Sequence, residues 1–553
     1  MNGTDSLMVG RSPADDEKAS VRKLVFSHLA GIVLAPTVKA LADRKVFDLF
    51  AGPSSVTLDE VVKHTHGNRG YLHVALRLLA AFGWLREQDS AKRSYELTPA
   101  GSIATGMAPP LYDEVVSFAP KAIFLEDFLY GSSDEPLLPS LRELVSRARS
   151  RWGLAGNADP LTAKVHEQIR NHLDGMVVGP AMVALARGGV LAKLEQSAVN
   201  MNAIAANHRS LTCLFDLLAT QGWIVREQDR AQLTACGHYA AQIATSYGVT
   251  VSYLPMFNAL HTLLFGNPRT PRLNDNGVEL MVNRGMNVWG SGGAHKTYFK
   301  KVDEIIVEIF NRPLNQQPQG ICDMGCGDGS FLEHLYFTVK NHTARGAVLE
   351  QHPLTLVGAD FNKVARRVAK QTLKRAGMAI FHVIAGDINR PAQLAGDLEE
   401  LGLDIHDLLH VRSFLDHNRP YIPPANYVGG TRTARSTGAF AHFGQDIPAD
   451  ELEENLVRHL RRWAPYVGRF GLLVLELHTL PPPVTAENLE KTPAVAYDGT
   501  HGFSDQYLVE LPIFLDCVRE AGLQADTRFQ CKFPPSELAT VSINFFTSTT
   551  PQV

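Results

Sequence analysis

The second half of the chain alternates short apolar runs, which predict buried strands, with longer amphipathic segments, which predict helices. The first run, Gln319–Met324, passes into a glycine-rich turn and then into a helical segment at Phe331–Val339. The later runs end at Asp360, at Asp387, around Asp416 and His417, and at His478. Strands that alternate with helices predict a parallel α/β sheet, and its ligands bind where the strands end.

The turn after the first strand reads ICDMGCGDGS, from Ile321 to Ser330. Gly325 and Gly327 lack a Cβ, so the backbone can turn sharply and a ligand can come close. Asp323 precedes both glycines, and its charge would repel the pyrophosphate of a dinucleotide. It suits a cationic ligand that carries an amino group and a sulfonium. The pattern therefore favours S-adenosylmethionine over a dinucleotide and over an inert turn.

Two further aspartates complete this predicted cofactor site. Asp360 ends the second strand, where a carboxylate can accept hydrogen bonds from both ribose hydroxyls. Asp387 ends the third strand, where a Gly-Asp pair could hold an adenine amino group. Phe361 and Ile388 follow these aspartates and are counted with the cofactor-binding residues.

The end of the chain predicts how the sheet closes. LQADTRFQCKF and VSINFFT are predicted to be two strands separated by a short turn. This closing hairpin resembles that of the class I methyltransferase sheet, and the resemblance implies an α/β class I methyltransferase fold, with a Rossmann-like, seven-stranded sheet whose last strand is antiparallel. A mainly helical N-terminal half with two winged-helix-like repeats precedes it.

The two repeats share an order of elements. FGWLREQD at 82–89 matches QGWIVREQD at 221–229, and similar helical segments begin at Val33 and Val177. Helices ending at Gly-Trp, followed by two short strands, predict a winged-helix unit that occurs twice. The third helices are apolar with few basic residues, so they predict a dimerisation or lid role and not DNA binding.

These patterns divide the 553 residues into five segments. The expected segments are a disordered tail at 1–20, a first winged-helix-like unit at 21–108, a helical connector at 109–170, a second winged-helix-like unit and lid at 171–290, and the methyltransferase domain at 291–553.

Composition narrows the class of protein. A net charge of -4 gives no support for wholesale nucleic-acid binding. The six cysteines form no CxxC pair, which predicts reduced, intracellular thiols. No apolar run is expected to approach the about 18 residues that a membrane-spanning helix needs. The polar N-terminus is unlike a signal peptide. The expected protein is cytoplasmic, with no membrane partner.

The stretch GSGGAHKTYFKKVDEII comes just before the first strand of the sheet. Ser291, Gly292 and Gly293 predict a flexible turn before a helix. With His295, this turn is expected to close over the cofactor carboxylate, because histidine is an unusual choice for a plain linker. A linker is the alternative.

Polar residues that could carry chemistry occur in three segments. SFLDHNRPY contains His417, LELH contains His478, and DGTHGFSDQY contains His501 and Gln506. Two histidines and an oxygen ligand would suit a mononuclear metal that stabilises an enolate during C-methylation. O- or N-methylation needs only a base, typically a histidine. The residues allow either reaction.

NVWGSGGAHKTYFKKVDEII, ICDMGCGDGS, HVRSFLDHNRPY and HGFSDQY resemble the metal-dependent C-methyltransferases that initiate certain polyketide assembly lines, such as those for apratoxin and saxitoxin. The resemblance covers most of the chain. It implies S-adenosylmethionine, one mononuclear iron or manganese ion, and methyl transfer to the α-carbon of a malonyl group on an acyl carrier protein. Asp323, Gly325 and Gly327 would border the methionine moiety, Asp360 the ribose and Asp387 the adenine.

The resemblance also suggests a ligand set. His417, His478 and Gln506 are the predicted metal ligands, with Asp416 and Asp505 as substitutes, and His417, His478 and His501 are the predicted catalytic residues. No carrier-type serine motif is found, so an acyl carrier protein would act in trans, or the substrate would be a small molecule. A homodimer is an open alternative. A metal-free O- or N-methyltransferase and a cofactor-sensing or scaffolding protein are the rival functions.

Overall fold

The computed structural model describes residues 12–52, 54–131, 137–154, 156, 158–204, 207–274, 279–429 and 435–548, without the side chains of 293–297. The chain forms two compact units. The helical unit contains the residues up to Gly293 together with Phe443–Asp446 and Pro482–Ser504. The sheet unit contains the rest. Neither unit is a single continuous stretch of sequence.

The α-helices are α1 (Asp15–Asp43), α2 (Leu58–Thr65), α3 (Arg69–Ala81), α4 (Pro99–Ala122), α5 (Leu125–Tyr130), α6 (Leu138–Arg149), α7 (Pro160–Arg187), α8 (Val190–Gln196), α9 (His208–Thr220), α10 (Ala235–Gln242), α11 (Gly248–Ser252), α12 (Leu254–Asn258), α13 (Leu260–Phe265), α14 (Arg284–Phe310), α15 (Ser330–His342), α16 (Lys363–Arg375), α17 (Pro391–Glu399), α18 (Ala449–Val467), α19 (Pro482–Glu487), α20 (Ala494–Phe503) and α21 (Leu511–Glu520).

The strands are β1 (Val56–Thr57), β2 (Leu85–Asp89), β3 (Ser94–Leu97), β4 (Val199–Asn200), β5 (Ile224–Glu227), β6 (Arg230–Leu233), β7 (Gly320–Met324), β8 (Thr355–Asp360), β9 (Phe381–Ala385), β10 (Leu408–Ser413), β11 (Phe440–His442), β12 (Gln445–Ile447), β13 (Leu472–Leu477), β14 (Leu523–Ala525), β15 (Cys531–Phe533) and β16 (Val541–Ser548).

The helical unit contains the predicted repeat. β1, β3 and β2 form one small antiparallel sheet, and β4, β6 and β5 form its counterpart. After each repeat a threonine caps the next helix, where Thr98 accepts from Gly101 N–H and Thr234 from Gly237 N–H, both at 3.0 Å. The same helix cap occurs in both repeats because a threonine and a glycine occur at matching positions. The predicted N-terminal half with two winged-helix-like repeats is confirmed.

The long helices α1 and α7, which precede the repeats, make reciprocal contacts. A Cβ on Gly31 would lie 2.2 Å from His172 Cα, and a Cβ on Gly175 would lie 2.3 Å from His28 O. The His28 ring lies 2.7 Å from the Tyr247 hydroxyl, which follows the second repeat. The His172 ring lies 2.5 Å from Tyr112 in α4, which follows the first repeat. A tyrosine that follows each repeat therefore contacts the long helix that precedes the other repeat.

We expect Gly31→Ala to destabilise the protein by about 1–3 kcal/mol, because its Cβ would meet the backbone of His172 and the two helices would have to separate. Gly106→Ala is the matched control, because Gly106 lies in α4 with no atom within 4 Å of its Cβ position. The control should be neutral or slightly stabilising. Urea unfolding measures both variants, and equal free energies of unfolding would contradict the close crossing.

Two predictions for this half need correction. Residues 15–20, predicted to lie in a disordered tail, belong to α1, while residues 1–11 of that tail lie outside the described residues. Within the described chain, α1 is also long and apolar enough to span a membrane, although no such run was predicted. Its most apolar window is 78% buried, as in the core helix of a globular protein.

The third helix of the first repeat is buried, as its apolar sequence predicted. Residues Gly70–Ala81 of α3 are all buried. Arg77, its buried cation, pairs with Asp498 of α20 at 2.6 Å. α20 therefore belongs to the helical unit although it follows β13 in sequence.

The sheet unit contains strands in the order β14-β16-β13-β10-β7-β8-β9, and β15 pairs with β16. The central strands β13, β10, β7, β8 and β9 are parallel, and β16 is antiparallel to β13. This is the predicted class I sheet with an antiparallel last strand. The segment at 523–533, predicted to be one strand, forms two short strands, β14 and β15, which both pair with β16, so the sheet has eight strands and not seven.

Both faces of this sheet are buried. In β7, Cys322 and Met324 belong to one hydrophobic core, and Ile321 belongs to the other. Side chains alternate along a strand, so a sheet with helices on both faces needs apolar residues at nearly every position. The polar Asp323 within this run therefore needs a separate explanation.

Candidate active site

The glycine turn adopts the conformation that its sequence predicts. Gly325, Gly327 and Gly329 have positive φ angles of 81°, 55° and 82°. Gly327 N–H donates to Asp360 Oδ2 at 3.0 Å, which ties the turn to the end of β8. No atom lies within 4 Å of a Cβ built on Gly327, so the turn opens onto space that a ligand can approach.

Asp323 lies at the base of this turn and is 1% exposed. Its Oδ1 has no hydrogen-bond partner among the residues that the structure describes. Burial, with the nearby charges of Asp360 and Asp328, raises the pKa of Asp323 to about 8. A buried carboxylate without a partner is costly, and a ligand ammonium group would supply both the charge and the donor. The residue fits the amino group of S-adenosylmethionine.

The ends of β8 and β9 provide the remaining predicted cofactor groups. Asp360 accepts from Asn362 N–H at 2.7 Å as well as from the glycine turn. The Phe361 side chain is 83% exposed, an unusual position for a large apolar ring. Asp387 accepts from Asn389 N–H at 2.9 Å, and Ile388 is buried. These groups share one edge of the sheet with Asp323, and their roles stay predictions.

The predicted cofactor loop at 291–295 is not a turn. Ser291, Gly292, Gly293 and His295 all lie within α14. The Ser291 hydroxyl donates to Val288 O at 3.2 Å, one turn earlier in the same helix. The side chain of His295 lies outside the described residues. The glycines were read as a break, but the apolar residues that follow continue the helix.

His417 and Glu476 form a buried pair at the ends of β10 and β13. His417 is 6% exposed and Glu476 is 2% exposed. The His417 Nδ1–H donates to Glu476 Oε1, and its backbone N–H donates to Oε2 at 3.1 Å. Leu477 N–H also donates to Oε1 at 2.7 Å. The carboxylate fixes the ring and its tautomer, which makes Nε2 the basic nitrogen.

This pair lies beside the glycine turn. β10 lies between β7 and β13, with Val411 opposite Asp323 on one side and Ser413 opposite Leu475 on the other. Leu415, two residues before His417, has its side chain 2.9 Å from the Cβ position of Gly325. The predicted cofactor residues and the His417–Glu476 pair therefore share one edge of the sheet, where parallel α/β sheets bind their ligands.

His478 does not fit its predicted role as a metal ligand or catalytic residue. It is fully buried, with Nε2 2.7 Å from Ser542 Oγ and Nδ1 3.2 Å from Val509 O. Both ring nitrogens are thus used within the fold, and burial lowers the pKa of His478 to about 4. The partner Ser542 lies on β16, so the ring stabilises the pairing of the last strand.

The predicted ligand set of His417, His478 and Gln506 stays a prediction, and His478 is the member whose two ring nitrogens are already used within the fold. Gln506 is buried in the sheet unit, whereas His501 lies in α20 of the helical unit with Nδ1–H donating to Tyr497 O at 2.7 Å. The substitute Asp505 lies 3.8 Å from His442. Throughout the described ranges, no three His, Cys, Asp or Glu side chains form a metal-binding group.

The other substitute ligand, Asp416, is committed to a buried network. Its Oδ1 accepts from Arg412 at 2.7 Å and from His459 Nε2–H at 2.9 Å. Burial alone would raise the pKa of Asp416, but Arg412 and His459 outweigh it and hold the pKa below its usual range. The sequence analysis did not single out Arg412 or His459. The sequence of a strand or a helix does not indicate which remote loop its polar side chains will contact.

Three family models match the chain. An AprA MT2-like domain matches residues 279–544, an AprA N-terminal domain matches 21–87, and an AprA winged helix domain matches 174–267. The first match contains the glycine turn, all three cofactor aspartates and the His417–Glu476 pair. Comparison with curated protein sequences gives no match.

Solved methyltransferases are distant structural neighbours. The mitomycin 7-O-methyltransferase MmcR is 15% identical over 70% of this chain and 98% of its own, with a TM-score of 0.41. An O-methyltransferase family protein from Burkholderia thailandensis is 14% identical over 72% of this chain and 100% of its own, with a TM-score of 0.39. Human N-acetylserotonin methyltransferase in complex with SAM is 12% identical over 72% and 100%, with a TM-score of 0.36.

Proposed function

We propose that the chain, an S-adenosylmethionine-dependent methyltransferase matched by three AprA domain models, methylates the α-carbon of a malonyl-like acyl group presented by an acyl carrier protein in trans. The observation that carries the proposal is the buried His417–Glu476 pair beside the glycine turn. The support for an acyl acceptor comes from the motifs that resemble polyketide-initiating C-methyltransferases, all of which lie within the residues matched by the AprA MT2-like domain.

The chain's own residues supply binding and proton removal. Asp323 receives the amino group of the cofactor, and Asp360 and Asp387 receive its ribose and adenine. Bound there, S-adenosylmethionine supplies an electrophilic methyl group to the deprotonated acceptor. His417 Nε2 takes the proton from the acceptor carbon, and Glu476 stabilises the imidazolium that forms. The thioester carbonyl acidifies this α-carbon, because it stabilises the enolate that forms when the proton is removed.

The same pair favours a second candidate, O- or N-methylation of a small molecule. A histidine held by a carboxylate is sufficient to remove a proton from a hydroxyl or an amine. The proposal of an iron or manganese ion has less support, since His478 is committed to Ser542 and Val509. No step above depends on a metal.

One assay separates these alternatives. Purified protein would be incubated with labelled S-adenosylmethionine and, in parallel, with malonyl-loaded carrier protein and with a panel of phenols and amines. We expect a methyl group on the malonyl α-carbon, identified by mass spectrometry and NMR, and unchanged turnover after treatment with a strong chelator. Methylated phenol or amine with untouched malonyl carrier would overturn the acyl proposal, and loss of turnover restored by one metal would overturn the metal-free mechanism.

A further inference from the structure

One face of α18 holds two turns of the sheet unit together. Asn455, His459 and Trp463 recur every four residues, so they lie in one row along the helix. All three are buried. A buried row of polar groups in an otherwise apolar helix face needs partners, and each of these residues has one outside the helix.

Two members of the row contact the turn that carries the base. His459 Nε2–H donates to Asp416 Oδ1 at 2.9 Å, directly beside His417. The Asn455 side-chain oxygen accepts from Arg419 Nε–H at 2.8 Å, and Arg419 in turn donates to Asp416 O at 2.8 Å. The turn is therefore fixed to α18 on both sides of His417.

The same face contacts the turn at the end of β9, where the adenine is expected to bind. Trp463 Nε1–H donates to Ile388 O at 2.6 Å. With the proton on Nε2, His459 Nδ1 and Asn389 Oδ1 are both acceptors and are in packing contact at 3.3 Å, while Asn389 Nδ2 donates to Pro420 O at 2.9 Å, just beyond the base turn. Contacts of α18 and of Asn389 thus join the residues after Asp387 to those around His417.

Arg412 closes the network from the sheet side. Its guanidinium lies 4.1 Å from the centre of the Trp463 ring and donates to Asp416 Oδ1 at 2.7 Å. The charge pair of Arg412 and Asp416 is almost fully buried, so displacing either group would leave a charge without compensation. We therefore expect the network to be rigid, so that the Asp387–Asn389 turn and the turn around His417 cannot move independently.

We propose that His459 is a positioning residue that couples cofactor binding at the Asp387–Asn389 turn to the orientation of His417. This inference rests on the proposed function, because it takes the Asp387–Asn389 turn as the adenine site and His417 as the base. When the cofactor orders the Asp387–Asn389 turn, the contacts of α18 would also order the turn that contains His417, before the acceptor binds. Misplacement of a base by about 1 Å can slow a reaction about 10²-fold.

Hydrogen exchange measured by mass spectrometry tests the coupling without turnover. In the wild-type chain, S-adenosylhomocysteine should slow exchange in a peptide spanning residues 414–420. In His459→Leu, which removes both ring nitrogens, the ligand should still bind, but the protection of this peptide should be lost. Turnover should fall about 10-fold or more, and His459→Gln, which can still donate to Asp416, should recover part of both effects.

His334→Leu is the matched control. His334 lies on α15 and pairs with Asp303 at 2.6 Å, and its ring stacks on Phe299, which packs against the core on the other face of the sheet. It should retain wild-type protection of residues 414–420. Ligand-induced protection that persists in His459→Leu, or that is absent from the wild type, would overturn the coupling. A wild-type chain that does not bind S-adenosylhomocysteine in calorimetry would overturn the proposed function itself.

Discussion

Replacing His417 by alanine is expected to slow methyl transfer by about 10²–10⁴-fold, which is the usual contribution of a general base. The imidazole is the basic group held by the buried Glu476 carboxylate, and alanine offers no proton acceptor at that position. S-adenosylhomocysteine binding should stay within a few-fold of wild type, because the cofactor aspartates lie on other strands. Single-turnover kinetics and calorimetry measure the two effects separately.

His478→Ala provides the contrast, because His478 is also a buried histidine and lies two residues after Glu476, just beyond the end of β13. Its ring contacts Ser542 and Val509, so its loss should lower the free energy of unfolding more than the turnover of the folded protein. Glu476→Gln should keep the shape but weaken the orientation of the ring, giving an intermediate rate. If His417→Ala retained wild-type turnover, the assignment of the base would be wrong.

The sheet and the glycine turn could be predicted because their signals are local. The positive φ angles of Gly325, Gly327 and Gly329 follow from residues that lie within one turn of each other. The strand order follows from alternation of strands and helices and from right-handed crossovers, which leave few topologies. The antiparallel closing strand follows from the two adjacent strand segments at the end of the chain.

The roles of individual histidines could not be predicted, because their partners are remote in sequence. His478 was read as a ligand from its place after a strand, yet its partner Ser542 is 64 residues away. His459 was not singled out, since its contacts with Asn389 and Asp416 depend on how α18 packs on the sheet. The position of a side chain at a strand end is predictable, but its hydrogen-bond partners are not.

The sequence similarity between the two repeats extends into the long helices that precede them. HLAG at 28–31 matches HLDG at 172–175, and these residues form the crossing of α1 and α7. Each glycine admits the backbone of the opposite helix, and each histidine meets a tyrosine from beyond the other repeat. The Gly-Trp motif showed that the unit is duplicated, whereas the HLxG motif shows how the copies are joined.

Asp323→Asn is expected to weaken cofactor binding by about 10–100-fold, since it removes a charge-assisted hydrogen bond to the ligand amino group worth roughly 1.5–3 kcal/mol. The substitution also changes the dependence of stability on pH. The pKa of Asp323 is raised in the folded state to about 8, above its usual value of 3.8, so the folded protein binds the proton more tightly. Its stabilising effect is complete below about pH 4 and is lost progressively as the pH rises towards 8.

The ligand-free wild type should therefore lose stability between about pH 4 and pH 8 relative to Asp323→Asn, whose amide does not titrate. Cofactor binding should reverse this loss, because a bound ammonium group favours the ionised carboxylate and expels its proton. Calorimetry at pH 7 in buffers of different ionisation enthalpy should detect about one proton released by the wild type and none by the variant. Equal proton release from both proteins would show that another group receives the cofactor amino group.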